Sequence, residues 1–222
     1  MVVEARLPSP DGEAPQDHYV HFYSVAWADY QKMREIRGER RRPKIAYLKG
    51  TLELVTTSRK HQRIKSWIGR LVEAWCLEHD VEFEPYGEWT LEDDAEEVAA
   101  EPDECYIFGA DQEGKDRPDL VIEVVLTAGG IRKLDIYDAL CIREVWFWKK
   151  DRIEVHARRD TGYERIAASE VLPGLDLDEL LSFLDRPTAS RAIRDYQGAL
   201  RQKGIRAESP ETEDDPPLRG DR

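Results

Sequence analysis

The segment DLVIEVVL (119–126) constrains the fold more than any other part of the chain. After Asp119, every residue of the run is apolar except Glu123. Such a run is typical of a strand in the centre of a sheet that is covered on both faces. Strand side chains alternate, so Asp119, Val121 and Glu123 share one face. A carboxylate there is costly to bury without a cation or a lysine, which makes Glu123 a candidate functional residue.

Both kinds of secondary structure are predicted around this strand. Ser24 is predicted to cap a helix that runs to about Arg37, and a longer helix is predicted over 59–79, where apolar residues recur every three or four positions. The alternating segment 44–57 is predicted to form a hairpin that turns at Lys49-Gly50. Further strands are predicted in 81–91, 105–109, 144–150, 152–158 and 163–168, and further helices in 131–140, 175–184 and 190–203. This order predicts an α/β fold, a mixed sheet flanked by helices.

The length of 222 residues suits one domain with flexible ends. We expect a disordered N-terminal segment (1–19), a folded domain (20–204) and a disordered acidic tail (205–222). No apolar run approaches the roughly 20 residues that span a bilayer, and the N-terminus lacks the features of a signal peptide. The three cysteines show no metal-type spacing and are expected to be buried thiols. Together these features predict a cytoplasmic protein without a membrane partner.

Charge is distributed unevenly along the chain. The formal net charge of −13 argues at first against a nucleic-acid partner. However, residues 32–70 carry thirteen bases against three acids, and such a block could face a phosphate backbone. A pair of solvated helix surfaces explains the same block equally well. The stretch 92–104 carries eight acids and no base, and is expected to be a solvated loop.

Two Pro-Asp pairs precede predicted strands that lie close together in the sequence. Pro102-Asp103 opens one strand, and Pro118-Asp119 opens the strand that carries Glu123. Carboxylates from adjacent strands suit Mg²⁺, a hard ion that prefers oxygen ligands and keeps waters for a substrate phosphate. On spacing alone the signal is weak, and the favoured reading is that Asp103 caps the start of a strand and Glu123 pairs with a structural lysine.

Several segments together resemble a known family. EPDECYIF, PDLVIEVVLTAGG, KLDIYDAL and REVWFWKKDRIEVH are similar, in this order and spacing, to the Uma2 family of restriction endonucleases, part of the PD-(D/E)XK nuclease superfamily. The resemblance covers about residues 20–185. It implies a restriction-endonuclease-like fold and a Mg²⁺- or Mn²⁺-dependent nuclease in which Asp103 and Glu123 hold the metal.

The chain departs from the superfamily pattern at one catalytic position. The acid-x-lysine motif places a lysine two residues after Glu123, but position 125 is valine. The resemblance implies that the lysine has moved to the next helix, where Lys133 matches, so the expected catalytic residues are Asp103, Glu123 and Lys133.

Other residues are weaker candidates for the site. Glu53 follows a glycine where the family usually has an acid, and it is either a further ligand or an exposed hairpin residue. Asp119 either supports the metal indirectly, which we favour, or only caps its strand. His61 either orients the site or contacts phosphate, or lies on the surface. The expected nucleic-acid-binding residues are Arg59, Lys60, Arg63 and Lys65.

The leading hypothesis is therefore a metal-dependent endonuclease that hydrolyses phosphodiester bonds in DNA, with RNA as a close variant. A homodimer is expected, since cutting two strands needs two sites. The alternative is a non-catalytic module that binds nucleic acid or protein and retains the nuclease fold, because fold alone does not imply activity.

Overall fold

The structure is a computed structural model that describes residues 2–5, 16–110, 114–127 and 130–208. Within these ranges the chain forms two six-stranded sheets and five helices. The strands are β1 (Val2–Ala5), β2 (His18–Tyr23), β3 (Lys44–Leu48), β4 (Thr51–Thr56), β5 (Phe83–Pro85), β6 (Leu91–Asp93), β7 (Val98–Ala100), β8 (Glu104–Phe108), β9 (Leu120–Val124), β10 (Glu144–Lys149), β11 (Arg152–Arg159) and β12 (Gly162–Ile166). The helices are α1 (Trp27–Arg37), α2 (Arg59–Glu78), α3 (Lys133–Ala139), α4 (Leu177–Leu181) and α5 (Ala189–Glu208).

The strand predicted at the centre of a sheet is β9. Its sheet has the order β12-β11-β10-β9-β8-β5, in which β9 and β10 are parallel and the other neighbours are antiparallel. A parallel pair requires a crossover connection, and α3 lies in it. Every residue of β9 is buried, which agrees with a strand covered on both faces. The predicted α/β class, a mixed sheet flanked by helices, is confirmed.

A second sheet was not foreseen from the sequence. It has the order β1-β2-β4-β3-β7-β6, and all its neighbours are antiparallel. Its hairpins pair with one another instead of joining the sheet of β9, so the fold has two sheets where one was predicted. The turn at Lys49-Gly50 is confirmed, because both residues have the positive φ that a tight hairpin turn requires.

Buried apolar side chains form layers on both faces of the mixed sheet. The even-numbered residues of β9, such as Ile122, pack with α2, α4 and α5, whereas Val121 packs with α3 and with Ala46 of the antiparallel sheet. The far face of the antiparallel sheet packs against α1 through Tyr30 and Tyr47. The odd-numbered side of β9, which carries Glu123, therefore faces the space between the two sheets.

Two local predictions were wrong. Ser24 does not cap α1: its φ is 58°, and the helix begins after Ala26, which makes no side-chain cap bond. The acidic stretch is not a solvated loop throughout, because 91–93 and 98–100 pair as a hairpin. Its acids accept hydrogen bonds from α1, including those of Tyr30 and Arg34 to Glu92, so they hold the helix in place.

The chain ends also differ from the expected disorder where the structure describes them. Residues 2–5 form a strand that pairs with β2, and β2 itself begins at His18. At the other end, α5 continues to Glu208, beyond the predicted boundary at 204. Residues 6–15 and 209–222 lie outside the described residues. Cys76 and Cys105 are buried as predicted, but Cys141 is exposed. No helix in the described ranges is long and apolar enough to cross a membrane.

Candidate active site

Asp103 and Glu123 lie side by side on neighbouring strands. The antiparallel register pairs Glu104 with Ile122, and one further step along it sets Asp103 opposite Glu123. Residues directly opposite in an antiparallel pair project to the same face. Both acids line one cavity of about 440 Å³ between the two sheets. The two predicted metal ligands are therefore brought together.

Asp103 is held by three hydrogen bonds and is 1% exposed. Lys44 Nζ donates to Oδ1 at 2.6 Å, while His61 Nε2 and the backbone N–H of Val124 donate to Oδ2, each at 2.8 Å. Burial alone would raise the pKa of Asp103, but the charge of Lys44 and the bond from His61 outweigh it and hold the pKa below its usual value. Asp103 is therefore ionised and fixed in orientation.

His61 links Asp103 to a second buried acid. Its Nδ1 donates to Asp17 Oδ2 at 2.7 Å, so each ring nitrogen donates to a carboxylate. Burial would lower the pKa of His61, but the bonds to Asp103 and Asp17 outweigh it and raise the pKa to about 9. His61 is buried, at 3% exposed, and is therefore not a surface histidine. At neutral pH, two anions and two cations (Asp17, Asp103, His61 and Lys44) form a balanced network.

Glu123 and Lys133 form the second charged pair of the cavity. Lys133 is the first residue of α3, and its Nζ lies 3.1 Å from Glu123 Oε1. The hydroxyl of Tyr137, one turn further along α3, also donates to Oε1. Lys133 thus occupies the neighbourhood of the acids as predicted, although Val125 stands where the superfamily pattern has lysine.

Glu53 is buried and not an exposed hairpin residue. It is 1% exposed, and its Oε2 accepts from His21 Nε2 and from the backbone N–H of Ile131, both at 2.7 Å. Ala46 is its partner on β3, so Glu53 projects to the same face as Lys44 and lines the same cavity. Its bond to Ile131 holds the segment that leads into α3.

Asp119 lies at the opposite end of β9 from Glu123. Its carboxylate accepts from the backbone N–H of Phe108 and from Lys115 Nζ, each at 2.9 Å. The described contacts of Asp119 do not reach Asp103 or Glu123. They support the cap at the start of the strand and not the favoured role beside the metal.

Three of the four predicted nucleic-acid-binding residues are exposed on the first turns of α2. Arg59, Lys60 and Arg63 are exposed, and the guanidinium of Arg63 lies 4.4 Å from the centre of the Trp67 ring. His61 lies between them in sequence and faces the cavity. These residues share the helix turns of His61, but Lys60 and Arg63 line a different cavity from the one that His61 lines.

Lys65 faces inward and not toward solvent. It is 9% exposed, and its Nζ donates to the carbonyl of Asp103 at 2.7 Å and to Glu88 at 3.2 Å. Its ammonium group also lies 3.6 Å from Glu104 Oε1, so it supports the strand entered by Asp103 and is not placed to contact phosphate.

The oxygen donors fit a small divalent cation. A carboxylate has about four lone-pair directions. Asp103 receives two of its three hydrogen bonds at Oδ2, which leaves one direction free at Oδ1, and Glu123 receives both of its bonds at Oε1, so Oε2 accepts none from the described residues. Within those residues, no group of three or more His, Cys, Asp or Glu is arranged to hold a metal. Two carboxylates with waters are what Mg²⁺ commonly uses, whereas a closed cage is not.

Three polar residues of the site were not predicted from the sequence. Lys44 is a lysine at the start of an alternating strand, where exposure is the ordinary expectation. Asp17 was assigned to the disordered segment, although the aromatic and β-branched residues of 18–23 directly after it favour a strand. Tyr137 has the spacing of a core residue of α3. In the structure it packs in the core and also donates a hydrogen bond to Glu123.

A sequence model of a known family matches most of the chain. The Uma2 model, described as "Putative restriction endonuclease", matches residues 27–188. This range includes Asp103, Glu123 and Lys133 but not Asp17. A search of curated proteins found no match.

Proposed function

This chain belongs to the Uma2 family, and from that premise we propose that it is a metal-dependent endonuclease that hydrolyses phosphodiester bonds in DNA. The observation that carries the proposal is the position of Asp103 opposite Glu123 in one cavity, with Lys133 paired to Glu123. Two oxygen ligands and a nearby ammonium group suit metal-assisted hydrolysis of a phosphodiester.

In the proposed site, Asp103 and Glu123 would hold Mg²⁺ or Mn²⁺, since both carboxylates keep lone pairs that no described residue uses. A bound divalent ion would polarise the phosphate and acidify the attacking water. Lys44 on Oδ1 and His61 on Oδ2 fix the carboxylate of Asp103, which keeps it ionised and oriented. They are positioning residues.

Lys133 is the cationic residue proposed to act on the substrate. The side chain of Lys133 is 19% exposed, whereas that of the buried Lys44 is 8% exposed. Lys133 is therefore more accessible to a substrate that enters the cavity. When a phosphate enters the cavity, the ammonium group of Lys133 can turn from Glu123 to a non-bridging oxygen of the phosphate. There it can offset the charge that develops at phosphorus. Glu53 keeps Lys133 in range by anchoring Ile131, two residues before it.

Arg59, Lys60 and Arg63 are proposed to bind the DNA backbone beside the site. They are exposed on the same helix turns that carry His61 into the cavity. Phosphate contacts position a duplex without reading its sequence. Their replacement by alanine should therefore weaken binding to all DNA sequences and reduce its salt dependence.

A cleavage assay tests the proposal. The purified chain is incubated with single- and double-stranded DNA and with RNA, in Mg²⁺, in Mn²⁺ or in EDTA. We expect metal-dependent cleavage of DNA that Glu123→Gln lowers by about a hundredfold or more. Glu164→Gln, which changes an exposed acid on β12, should leave cleavage unchanged. Cleavage of RNA alone would change the substrate, and equal activity in both variants would overturn the assigned site.

The hydrogen bonds that occupy Asp103 favour one alternative, a non-catalytic module that binds nucleic acid or protein. A resident metal ion stabilises the folded state by preferential binding, so Mg²⁺ or Mn²⁺ should raise the Tm of the chain but not that of Glu123→Gln. An unchanged Tm in the parent chain, together with absent cleavage, would favour the module.

We further propose that the enzyme works as a homodimer. The described residues of one chain form one such cavity, and cutting both strands of a duplex needs two sites. Light scattering should give twice the chain mass of 25.7 kDa. A monomer mass under conditions of double-strand cleavage would contradict this arrangement.

A further inference from the structure

Tyr19, on the N-terminal strand β2, lines the cavity that contains Asp103 and Glu123. Val55 is the partner of Tyr19 on β4, and Val55 in turn pairs with Lys44 on β3. Residues directly opposite in antiparallel strands project to the same face, so Tyr19 and Lys44 both face the space between the two sheets. The match to the Uma2 model begins after Tyr19, at residue 27, and therefore gives this residue no role.

The hydroxyl of Tyr19 is a hydrogen-bond donor that the described residues leave unused. It forms no hydrogen bond with any of them, whereas the hydroxyl of Tyr137 donates to Glu123. The hydroxyl of Tyr196 also lacks a partner, but it is enclosed in the core. That of Tyr19 is not enclosed, so it is open to the cavity. A donor in this position is available to a ligand that carries an acceptor.

The hydroxyl of Tyr19 lies at the end of the cavity where the acids are. Burial raises the pKa of Tyr19 above its usual value, and the charges of Asp17, Glu53 and Glu123 raise it further. These charges act on the phenol oxygen, which must therefore lie near them. At neutral pH the hydroxyl keeps its proton, so it can donate a hydrogen bond to an anion.

The ring of Tyr19 lies against the segment that leads to Lys133. A Cβ on Gly130, three residues before Lys133, would lie 3.5 Å from Tyr19 Cε1 and 3.2 Å from Glu53 Oε2. On its own strand, the ring is nearly parallel to that of His21, with centroids 6.5 Å apart and an interplanar angle of 12°. These contacts position the ring without using the hydroxyl.

A phosphate oxygen is the acceptor that suits this hydroxyl in a metal-loaded site. The acids alone would repel an anion, but a divalent ion held by Asp103 and Glu123 would remove that repulsion, and Lys133 adds a positive charge. A phosphodiester has two non-bridging oxygens, each with lone pairs that a metal ion and one cation do not exhaust. A neutral donor such as Tyr19 can bind one of them without repelling the metal ion, as a further cation would.

We propose that Tyr19 is a catalytic residue whose hydroxyl donates a hydrogen bond to a non-bridging oxygen of the phosphodiester. This inference rests on the proposed nuclease function and extends it to a residue outside the family match. The bond should strengthen as negative charge develops on that oxygen. Tyr19→Phe removes the donor but keeps the ring and its packing, so the variant should fold like the parent chain.

Cleavage kinetics of the full chain with DNA and Mg²⁺ test the proposal. Loss of a hydrogen bond to a charged group should lower kcat/KM about ten- to a hundredfold in Tyr19→Phe. Tyr196→Phe is the matched control, since it removes an unpaired hydroxyl that lies in the core, and it should leave kcat/KM unchanged. Equal kcat/KM in the parent chain and in Tyr19→Phe overturns this inference alone. A parent chain that does not cleave overturns the proposed function and this inference together.

Sulfur substitution locates the contact. DNA is prepared with phosphorothioate linkages of one configuration, and then of the other, because sulfur is a weak hydrogen-bond acceptor. Sulfur at the oxygen that Tyr19 contacts removes the same bond as Tyr19→Phe does, so for one configuration the two losses in kcat/KM should combine to less than their product. Losses that multiply fully for both configurations would show that Tyr19 does not contact the phosphate.

Metal binding provides a readout that does not depend on cleavage. The rise in Tm that Mn²⁺ causes should be the same in Tyr19→Phe as in the parent chain, because the hydroxyl is not proposed as a metal ligand. A smaller rise in Tyr19→Phe would show that the hydroxyl acts on the metal ion and would overturn its assignment to the phosphate.

Discussion

Lys44 is a lysine inside the fold, with its ammonium group on two oxygens of the Pro102-Asp103 segment. Its Nζ lies 2.6 Å from Asp103 Oδ1 and 2.9 Å from the Pro102 carbonyl, and the side chain is 8% exposed. Burial would lower the pKa of Lys44, but the charges of Asp103 and Glu123 outweigh it and raise the pKa. Lys44 is therefore the permanent counter-charge of Asp103.

Removing this counter-charge should destabilise the chain strongly. Lys44→Met leaves Asp103 buried with less compensation, and breaking a buried pair costs about 3–5 kcal/mol. Urea unfolding measures the loss, and Lys32→Met, at an exposed pair with Asp29, should change stability by less than about 0.5 kcal/mol. The double variant Lys44→Met/Asp103→Asn should lose at least about 1 kcal/mol less than the sum of its single variants. Additive losses would show that the two residues do not stabilise each other.

A site residue could be predicted from the sequence where its polarity differs from that of its neighbours. Glu123 interrupts an apolar run, so the cost of burying it pointed to a function before any fold was known. Lys44 and Asp17 interrupt nothing, since polar residues are ordinary at the start of a strand. Their burial follows from the packing of one sheet on another, which sequence periodicity does not encode.

Helix α2 lies close to the mixed sheet at Gly69. A Cβ on this residue would lie 2.8 Å from the hydroxyl of Tyr106, which is fully buried and donates to Glu73. Neither group can move away cheaply. Gly198, in the middle of α5, has no atom within 4 Å of the position of a Cβ. The two helical glycines therefore differ in whether packing requires them.

Alanine at these two positions should shift stability in opposite directions. Gly69→Ala should cost about 1–3 kcal/mol through overpacking, less the helix preference of alanine. Gly198→Ala should gain roughly 0.4–1 kcal/mol, because alanine restricts the unfolded chain and favours the helix. The free energies of unfolding in urea provide the comparison. A Gly69→Ala chain as stable as Gly198→Ala would mean that α2 can move away from the sheet.

Elements with a strong local signal were predicted well. The apolar spacing of α2 predicted 59–79, and the helix spans Arg59–Glu78 with Ser58 as its N-cap. The hairpin of β6 and β7 was missed because acids are depleted in strands. Its acids are tolerated there because α1 donates hydrogen bonds to them, including those of Trp27 and Gln31 to Asp94. That stabilisation is tertiary, so a local pattern could not predict it.

At the scale of the whole molecule, the N-terminal strands β1 and β2 lie outside the family match, yet residues of this segment contact the candidate site. The family match begins at residue 27, yet Asp17 and His21 lie before it and bind His61 and Glu53. Strand β2 is internal to its sheet, between β1 and β4, whereas β1 pairs only with β2. The two strands should therefore contribute unequally to stability and to the site.

Shortened chains should separate these contributions. Of the described residues, a chain that begins at residue 16 loses just the edge strand β1, so its Tm should stay within a few degrees of that of the full chain. A chain that begins at residue 27 also loses β2, exposes the pairing edge of β4 and removes one partner each of His61 and Glu53. It should therefore melt at a much lower temperature or without a cooperative transition. Asp17→Asn in the full chain weakens only the contact with His61, so its Tm should fall between those of the two shortened chains. A chain from residue 27 that melts like the full chain would show that the site assembles without these strands.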